Sequence, residues 1–529
     1  MEESVNRRAV TEERQEKNLS QMTAKICEDL KKSAYHARLF EDIQKLAITP
    51  RVRTEDFGDS LLKAMQENGL ESNLRNTIYR YIMSKKKESN AYDSFFRKCQ
   101  IHWDKRIHKS LNSMCNELGI SLAKPRTANE REELLAKWTE LSNYEADIHK
   151  YRPVYAPKDF LDVLLNLKGP LDEKSTGNGD WQFTQLPLKV KNLAELRTFY
   201  GDLSKGEQIL TPSNALTMPQ TFTLLEEERI TLGERVLSRN YAPLAQEFLK
   251  KGCPRCLRAR MWSLLLGSDA QKFEYKYFEF LKEHVLQYDL MIDKLIIKDI
   301  SLTASNDDQY FVFEDVLYQV MLCFSRDSEI LKNLPTQPAF MQVLIKGKQP
   351  SGDNGNSSGT IVFPPSGVIP FHGFSMYAAP FCYLYDDPVE LYFSFRAFYL
   401  RYWHRLHRVC GSPQGVVSLC LQFERLLQCY DPVLWNHFKK CKIQPLRLVI
   451  KWIMRAFSGH LPPEQLLSLW DLVLAYDSLE VVPLLAVVIV IFRKDNLLKV
   501  TTLPNAEAVL SDLTTIAVVP LLQMALMKD

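Results

Sequence analysis

The chain has 529 residues, of which 46% are hydrophobic and 25% are charged, with a formal net charge of +3. A chain of this length exceeds one compact core, so two or three domains are expected. The nearly balanced charge argues against binding of nucleic acid, or of an anionic membrane, by the protein as a whole. We therefore expect a globular protein with no nucleic-acid partner.

The cysteines and the most apolar stretch of the sequence indicate the cellular compartment in which we expect the protein. The 11 cysteines show no disulfide framework, which is typical of reduced thiols in a cytoplasmic protein. The N-terminus is charged and does not resemble a signal peptide. The most apolar run, residues 481–492, is well short of the ~20 residues of a transmembrane helix. It predicts a buried core helix and no transmembrane segment.

Residues 1–150 predict a separate helical N-terminal region, to which the sequence assigns no role. Apolar side chains recur at helical spacing in two stripes, and Thr127 with Glu130 resembles a capping box. The stripes comprise Leu39, Ile43 and Leu46, and Leu74, Ile78, Tyr81 and Ile82.

Prolines and glycines then punctuate residues 151–235, which predict a connecting region with short helices. Helical periodicity resumes over residues 236–500, the main predicted domain, and continues into an extension at 501–529. A Gly/Ser/Asn/Pro-rich stretch at 347–370 predicts a mobile insertion. Because no long stretch alternates apolar and polar residues, the predicted fold class is all-α.

Two cysteines, Cys253 and Cys256, have the spacing of a zinc knuckle or a redox motif. A structural zinc site needs four ligands, and no second pair follows at a usual distance. His404, His407 and Cys410 fall on successive turns of another helical stretch, where packing is the simpler interpretation. We therefore predict neither a metal site nor a cofactor.

The alternative for the cysteine pair is the start of a helix. Gly252 suits the end of the preceding helix, Pro254 fits a first turn, and Gly267 fits the end of the new helix. Ser268 or Asp269 would then cap a long following helix. The apolar face predicted for that following helix comprises Phe273, Tyr277, Phe280, Leu281, Val285 and Tyr288.

This stretch resembles the opening motif of the TBC domain, the all-helical domain of Rab GTPase-activating proteins, whose pattern is G-x-P-x-x-L-R-x-x-x-W-x-x-L-L-G. The matching residues are Gly252, Pro254, Leu257, Arg258, Trp262, Leu265, Leu266 and Gly267. Of these, Arg258 is expected to form a helix-surface pair and Trp262 to anchor the core.

Further matches follow in the family's order, and the resemblance covers roughly residues 240–495. Asp299 in IIKD is similar to the family's I-x-x-D, and Gly373 follows the position of its Y-x-Q. The late segment IKWIMRAFSGHLPPEQLLSLWD contains Trp452, Trp470 and Asp471. The resemblance implies a TBC domain in the C-terminal half.

The resemblance also implies a partner and a mechanism. In the family, the domain binds a GTP-bound Rab GTPase and supplies two side chains in trans. The arginine of I-x-x-D-x-x-R offsets charge on the transferred phosphoryl group, and the glutamine of Y-x-Q orients the attacking water.

Both of these positions are substituted in this sequence. Leu302 stands where the arginine belongs, and His372 stands in place of the glutamine. No arginine occurs between Arg260 and Arg326, and the nearby Lys294 and Lys298 lack the planar guanidinium. The sequence therefore leaves two hypotheses open: a weak or variant Rab GTPase activator, or a catalytically silent Rab-binding or adaptor protein.

Overall fold

A computed structural model describes residues 19–84, 92–143, 148–167, 183, 186–204, 219–334 and 363–527. Helices dominate these residues, and the prediction of an all-α fold is confirmed. The predicted insertion at 347–370 lies outside the described residues up to position 362. The described chain forms two compact units.

The first unit contains the described residues up to 84 together with Ser238–Pro243. Asn76 is buried in it, donates to the Asn240 carbonyl at 2.9 Å and accepts from the Ala242 N–H at 2.9 Å. The helices of this unit span 19–31, Ala34–Ala47, Phe57–Glu67 and Leu70–Ser84.

The second unit contains the rest of the described chain. The long helix Asp93–Leu118, which we assigned from sequence to the N-terminal region, packs within this unit. Up to residue 334 the helices are Asp93–Leu118, Ala128–Ala136, Pro157–Leu165, Leu193–Phe199, Gly201–Ser204, Pro219–Ser238, Ala242–Leu249, Arg255–Leu266, Lys272–Gln287, Met291–Leu302, Glu314–Arg326 and Ser328–Asn333. Short 3₁₀ helices cover Leu141–Asn143, Ala304–Asn306 and Phe311–Phe313.

The chain from residue 363 onward is also helical. Its 3₁₀ helices are Phe374–Tyr377, Ala379–Tyr383 and Trp403–Arg405. Its α-helices are Pro388–Arg401, Val416–Tyr430, Pro432–Lys440, Pro445–Met454, Pro463–Tyr476, Val481–Phe492, Lys494–Leu497, Leu503–Val509 and Val518–Leu526. Asp387 caps the first of these α-helices by accepting from the Val389 N–H at 3.2 Å.

One small strand pair interrupts the helices. Ala123–Pro125 pairs antiparallel with Tyr288–Leu290, with Ala123 opposite Leu290. Next to the pair, the Asp293 carboxylate is buried between the guanidinium groups of Arg126, at 3.3 Å, and Arg326, at 2.8 Å. Burial acts to raise the pKa of Asp293, but the two cations outweigh it and lower that pKa. The strand pair therefore connects the segment before residue 127 to the middle of the second unit.

The predicted core helix is confirmed. Val481–Phe492 forms a helix whose side chains are mostly buried. Close to it in sequence, Trp470 packs on Trp403 with ring centroids 4.8 Å apart, and Trp403 stacks on Phe398 at 4.7 Å. Within the described residues, no helix is long and apolar enough to cross a membrane.

The helix predicted to follow the cysteine pair is confirmed as Arg255–Leu266, ended by Gly267 with φ +69°. Cys253 is buried and Cys256 is exposed. Pro254 is the N-cap residue of the helix, one position earlier than the first turn where we predicted it.

The prediction for the following helix was partly wrong. The helix begins after Gln271, which is its N-cap residue, so neither Ser268 nor Asp269 caps it. Leu281 and Val285 are buried as predicted, whereas Phe273 and Phe280 are each about half exposed. The real buried stripe also contains Phe278 and Leu286, because the packing partners select a face rotated from the predicted one.

Candidate functional site

The opening and late motifs of the sequence meet at one buried carboxylate. Asp471 accepts from Arg258 Nε at 3.0 Å and from Trp262 Nε1–H at 2.7 Å. Burial raises the pKa of Asp471, while Arg258 and Trp262 act against that rise. The prediction of Trp262 as a core anchor agrees with its complete burial, but the prediction of a helix-surface pair for Arg258 was wrong. The Arg258 guanidinium is buried because it pairs with Asp471, which lies on another helix, Pro463–Tyr476.

The two late tryptophans also serve packing. Trp470 is fully buried and donates to the Ala456 carbonyl at 3.0 Å. Trp452 is buried and stacks on Phe457 with ring centroids 5.4 Å apart. Both residues thus shape the turn after helix Pro445–Met454, which lies next to the candidate site.

Asp299 joins the two segments that carry the substituted positions. Its buried carboxylate accepts from the Gly373 N–H at 2.5 Å and from the Ser375 N–H at 2.8 Å. Four residues later, Thr303 Oγ1 lies 2.8 Å from Ser375 Oγ. Burial raises the pKa of Asp299 and the backbone N–H groups oppose the rise. The end of helix Met291–Leu302 is therefore bound directly to the segment after His372.

Leu302 is the last residue of that helix, and 39% of its surface is exposed. The neighbouring lysines offer no simple replacement for the arginine that the family resemblance implies at this position. Lys294 Nζ is paired with Asp289 Oδ1 at 2.9 Å, and Lys298 is half-buried. The next arginine along the chain, Arg326, is buried against Asp293. The exposed end of the helix thus presents a hydrocarbon side chain.

His372 lies in the turn that leads into the 3₁₀ helix Phe374–Tyr377. Its backbone N–H donates to the Tyr155 carbonyl at 2.9 Å. Nδ1 of its ring lies 3.8 Å from Asp299 Oδ1. The side chain is 34% exposed. Burial lowers the pKa of His372, and Arg455 and Lys451 lower it further, while Asp299 acts in the opposite direction. The surroundings of the ring therefore favour its neutral form.

Arg455 reaches the same place from the C-terminal end of helix Pro445–Met454. Its Nη2 donates to the His372 carbonyl at 2.8 Å. Its guanidinium also lies against Gly373, where an added Cβ would come within 2.1 Å of Arg455 Cζ. Burial lowers the pKa of Arg455, and Asp299 partly offsets this. Three segments far apart in sequence thus converge on the peptide groups around His372.

Similarity to known proteins identifies the family of this chain. The model of the Rab-GTPase-TBC domain matches residues 371–498, a range that contains His372 and Arg455. Human TBC1 domain family member 19 is 43% identical over 532 aligned positions, which cover 97% of this chain and 98% of that protein. The chain belongs to the TBC domain family.

Two further similarities are more limited. The TBC domain-containing protein kinase-like protein of Dictyostelium discoideum is 29% identical over 131 residues, which cover 24% of this chain and 12% of that protein. The crystal structure of the Chlamydomonas flagellar RabGAP TBC domain matches with 14% identity and a TM-score of 0.40. That match covers 65% of this chain and 99% of that one.

The structure of this TBC protein adds two residues that we did not single out from the sequence. Arg455 lies within the late motif, and its signal was a cation inside the otherwise apolar run WIMRAF. Tyr155 comes from the predicted connecting region, and no sequence signal marks its carbonyl as a partner of His372. Contacts of this kind depend on the path of the chain.

Metal-binding side chains do not cluster in the TBC protein wherever the structure describes it. No group of three or more His, Cys, Asp or Glu residues in those ranges could hold a metal ion. His404 and His407 are buried, and burial lowers the pKa of each to about 3. His407 Nε2 lies 3.0 Å from the Tyr399 hydroxyl, which fits a packing role.

Proposed function

We propose that this protein binds a GTP-loaded Rab GTPase through its TBC domain and accelerates GTP hydrolysis weakly. Membership in the TBC domain family supports the Rab partner. The observation that supports weak acceleration is Leu302, an exposed hydrocarbon side chain at the end of helix Met291–Leu302.

The expected weakness follows from the chemistry of phosphoryl transfer. An arginine finger accelerates hydrolysis by about 10³–10⁵, which corresponds to roughly 4–7 kcal/mol of transition-state stabilisation. A leucine cannot offset the negative charge that develops on the phosphoryl oxygens. A neutral His372 adds no positive charge either, so it can replace only the hydrogen-bonding part of the family mechanism.

A second candidate is a TBC-fold protein that binds Rabs, or acts as an adaptor, without any acceleration. The same exposed Leu302 favours it, since an apolar side chain at this place suits binding better than charge compensation. For either candidate we propose that the protein acts in the cytoplasm and reaches membranes through its Rab.

A panel of Rabs separates the two candidates. Each Rab is loaded with GTP, and single-turnover hydrolysis is followed with and without a molar excess of this chain. Pull-downs with Rabs loaded with a non-hydrolysable GTP analogue, and with GDP as the control, measure binding. Acceleration far below that of an arginine-finger activator supports the first candidate, and nucleotide-dependent binding without acceleration supports the second. If no Rab of the panel binds, the first candidate and the Rab-binding form of the second are refuted for that panel, and only an adaptor role with another partner stays open.

A further inference from the structure

The helix Asp93–Leu118 has one buried face and one exposed face that is strongly basic. We propose that this basic face binds the anionic headgroups of a phospholipid membrane. The inference goes beyond the proposed function and does not depend on it, because the contact needs neither a Rab nor GTP. The net charge of the whole chain is only +3, so the basic face is a local feature of one helix.

The buried side of this helix determines which side chains point outward. Trp103 packs on Tyr155 with ring centroids 5.1 Å apart, and the other buried residues lie on the same side. Since an α-helix has 3.6 residues per turn, Lys98, Lys105 and Lys109 lie on the opposite side. The buried residues are Phe96, Gln100, Trp103, Ile107, Leu111, Met114 and Cys115.

The exposed charges between the two ends of the helix are all positive. Acidic side chains are exposed only at its ends, at Asp93 and Glu117, and Glu117 pairs with Arg152 at 3.3 Å. Asp104 lies between them, but it is half-buried and accepts from Gln100 Nε2 at 2.7 Å. The basic face comprises the exposed cations Arg97, Lys98, Lys105, Arg106 and Lys109.

These cations lack acidic neighbours on their own helix. No Asp or Glu lies three or four positions from Lys98, Lys105 or Lys109, and Lys109 instead follows Lys105 by four positions. Arg97, Lys98 and Lys109 form no ion pair with any residue that the structure describes. Like charges four positions apart destabilise a helix, and a bound anionic surface would relieve that repulsion.

A groove on the basic face offers further hydrogen-bond donors. It has a volume of about 540 Å³, and all of its lining residues belong to this helix. Ammonium, amide and hydroxyl groups donate hydrogen bonds to phosphate oxygens, so the groove suits a polar headgroup better than an apolar ligand. Its lining residues are Lys105, His108, Lys109, Asn112, Ser113 and Asn116.

The chemistry of this face favours lipid headgroups over nucleic acid. The helix, which the structure describes in full, exposes no phenylalanine, tyrosine or tryptophan ring on which a base could stack. Its central cations are lysines, which act as point charges and do not need the bidentate geometry of an arginine. Clusters of about four to eight Lys or Arg residues on a helix are typical of surfaces that bind anionic lipids.

The other side of the same helix reaches the candidate site. Trp103 packs on Tyr155, and the Tyr155 carbonyl accepts from the backbone N–H of His372 at 2.9 Å. A membrane bound to the basic face would therefore fix the orientation of the candidate site relative to the lipid surface.

Vesicle sedimentation of the full chain tests the proposal. Vesicles of phosphatidylcholine alone are compared with vesicles that also contain phosphatidylserine. We expect binding to the second kind only, and it should weaken strongly between 0.1 and 1 M salt, where the Debye length falls from about 10 to about 3 Å. Binding to neither kind, or equal binding to both, would overturn the proposal. The assay contains no Rab, so its outcome is independent of the proposed function.

A triple variant locates the contact on the helix. Lys98→Gln, Lys105→Gln and Lys109→Gln together should lower the binding constant on the order of 100-fold, since each cation near an anionic surface contributes roughly fivefold. The charge-preserving triple Lys98→Arg, Lys105→Arg and Lys109→Arg should keep the binding. If the arginine triple binds as weakly as the glutamine triple, the contact is not electrostatic and the proposal is wrong.

A matched control removes the same net charge elsewhere. Lys32→Gln, Lys45→Gln and Lys332→Gln replace exposed lysines that each contact a glutamate at 2.7 Å. This triple should leave the binding constant nearly unchanged, because a glutamate already offsets each of these charges. An equal loss in the glutamine triple and in this control would show that net charge, and not the basic face, decides binding.

A single-stranded oligonucleotide tests the rival class of partner. If the chain binds it more weakly than the phosphatidylserine vesicles at the same salt concentration, the preference for lipid headgroups is supported. If the chain binds it more tightly and the glutamine triple loses that binding, the basic face is a nucleic-acid surface and the proposal is refuted.

Discussion

At position 373, the backbone conformation and the close packing of a neighbouring side chain both require glycine. The φ of +98° is one that side-chain-bearing residues rarely adopt, and the Arg455 guanidinium occupies the space of a Cβ. Either constraint alone would disfavour a larger residue. Together they make this position sensitive to substitution by any larger residue.

We predict that Gly373→Ala lowers the free energy of unfolding by about 2–4 kcal/mol, because the backbone is strained and Arg455 must leave the His372 carbonyl. Urea denaturation measures the change. Gly119→Ala is the matched control, since Gly119 has a φ of +66° and no atom near its absent Cβ. It should cost only about 1 kcal/mol. Equal losses in the two variants would show that the contact with Arg455 has no energetic weight.

A second residue-scale feature is a carboxyl group inside the helix core. Glu424 is fully buried in helix Val416–Tyr430, and burial raises its pKa from 4.5 to about 8, while the Gln444 amide acts more weakly in the opposite direction. An acid whose folded pKa is raised binds its proton more tightly in the folded state. The contribution of Glu424 to the free energy of unfolding is therefore most favourable below pH 4.5 and decreases as the pH rises to about 8.

We predict that Glu424→Gln raises the free energy of unfolding at pH 7 by on the order of 3 kcal/mol, since each pKa unit is worth about 1.36 kcal/mol. The variant keeps the shape of the neutral acid and removes its ionisation. Denaturation curves at several pH values between 4.5 and 8 measure the effect. If the gain is the same at both ends of this range, ionisation of Glu424 is not its cause.

At the scale of elements, Asp471 connects helix Pro463–Tyr476 to helix Arg255–Leu266, more than 200 residues earlier in sequence. Arg258 and Trp262 lie one turn apart, so both reach the same carboxylate. A buried guanidinium depends on its partner, because an unpaired buried charge costs far more than a neutral contact.

We predict that Asp471→Asn lowers the free energy of unfolding by about 3–5 kcal/mol, the usual cost of removing one partner of a buried ion pair. Glu234→Gln is the matched control: its pair with Arg260 has a 2.6 Å contact, but both side chains are about half exposed. That control should cost far less, because solvent screens an exposed ion pair. A similar loss in both variants would contradict a special role for the buried pair.

The sequence predicted these elements unevenly. Capping signals placed helices well: Thr127 accepts from the Glu130 N–H as the capping box predicted, and Gly267 ends its helix. The buried face of helix Lys272–Gln287 was predicted less well, since aromatic residues suited either side and the neighbouring helices decided. The strand Ala123–Pro125 could not be predicted, because its partner lies more than 160 residues away.

At the scale of the whole molecule, the missing arginine can be restored. Leu302 occupies the end of a helix whose attachment to the His372 segment is intact through Asp299 and Thr303. A guanidinium placed there would project from the same exposed position. Under the proposed function, this end of the helix is the place that an arginine finger would use in the complex with a Rab.

We predict that Leu302→Arg raises single-turnover GTP hydrolysis by a bound Rab at least about tenfold, because a guanidinium there can offset transition-state charge. Leu302→Met, which preserves size without charge, should leave the rate unchanged. Leu302→Lys should give a smaller gain than arginine, since an ammonium group lacks the planar fork. A Met variant as active as the Arg variant would show that charge is irrelevant at this position.

The sequence by itself determined the helical class, several helix ends and the family resemblance, because these depend on local periodicity, capping and ordered motifs. It also predicted two substituted positions, Leu302 and His372, from the same ordered motifs. Only the tertiary structure decided that Arg258 is buried, that Asp299 binds the Gly373 segment, and that Arg455 and Tyr155 hold His372. These contacts join residues 70 to more than 200 positions apart. Their geometry depends on how helices pack, which no local pattern encodes.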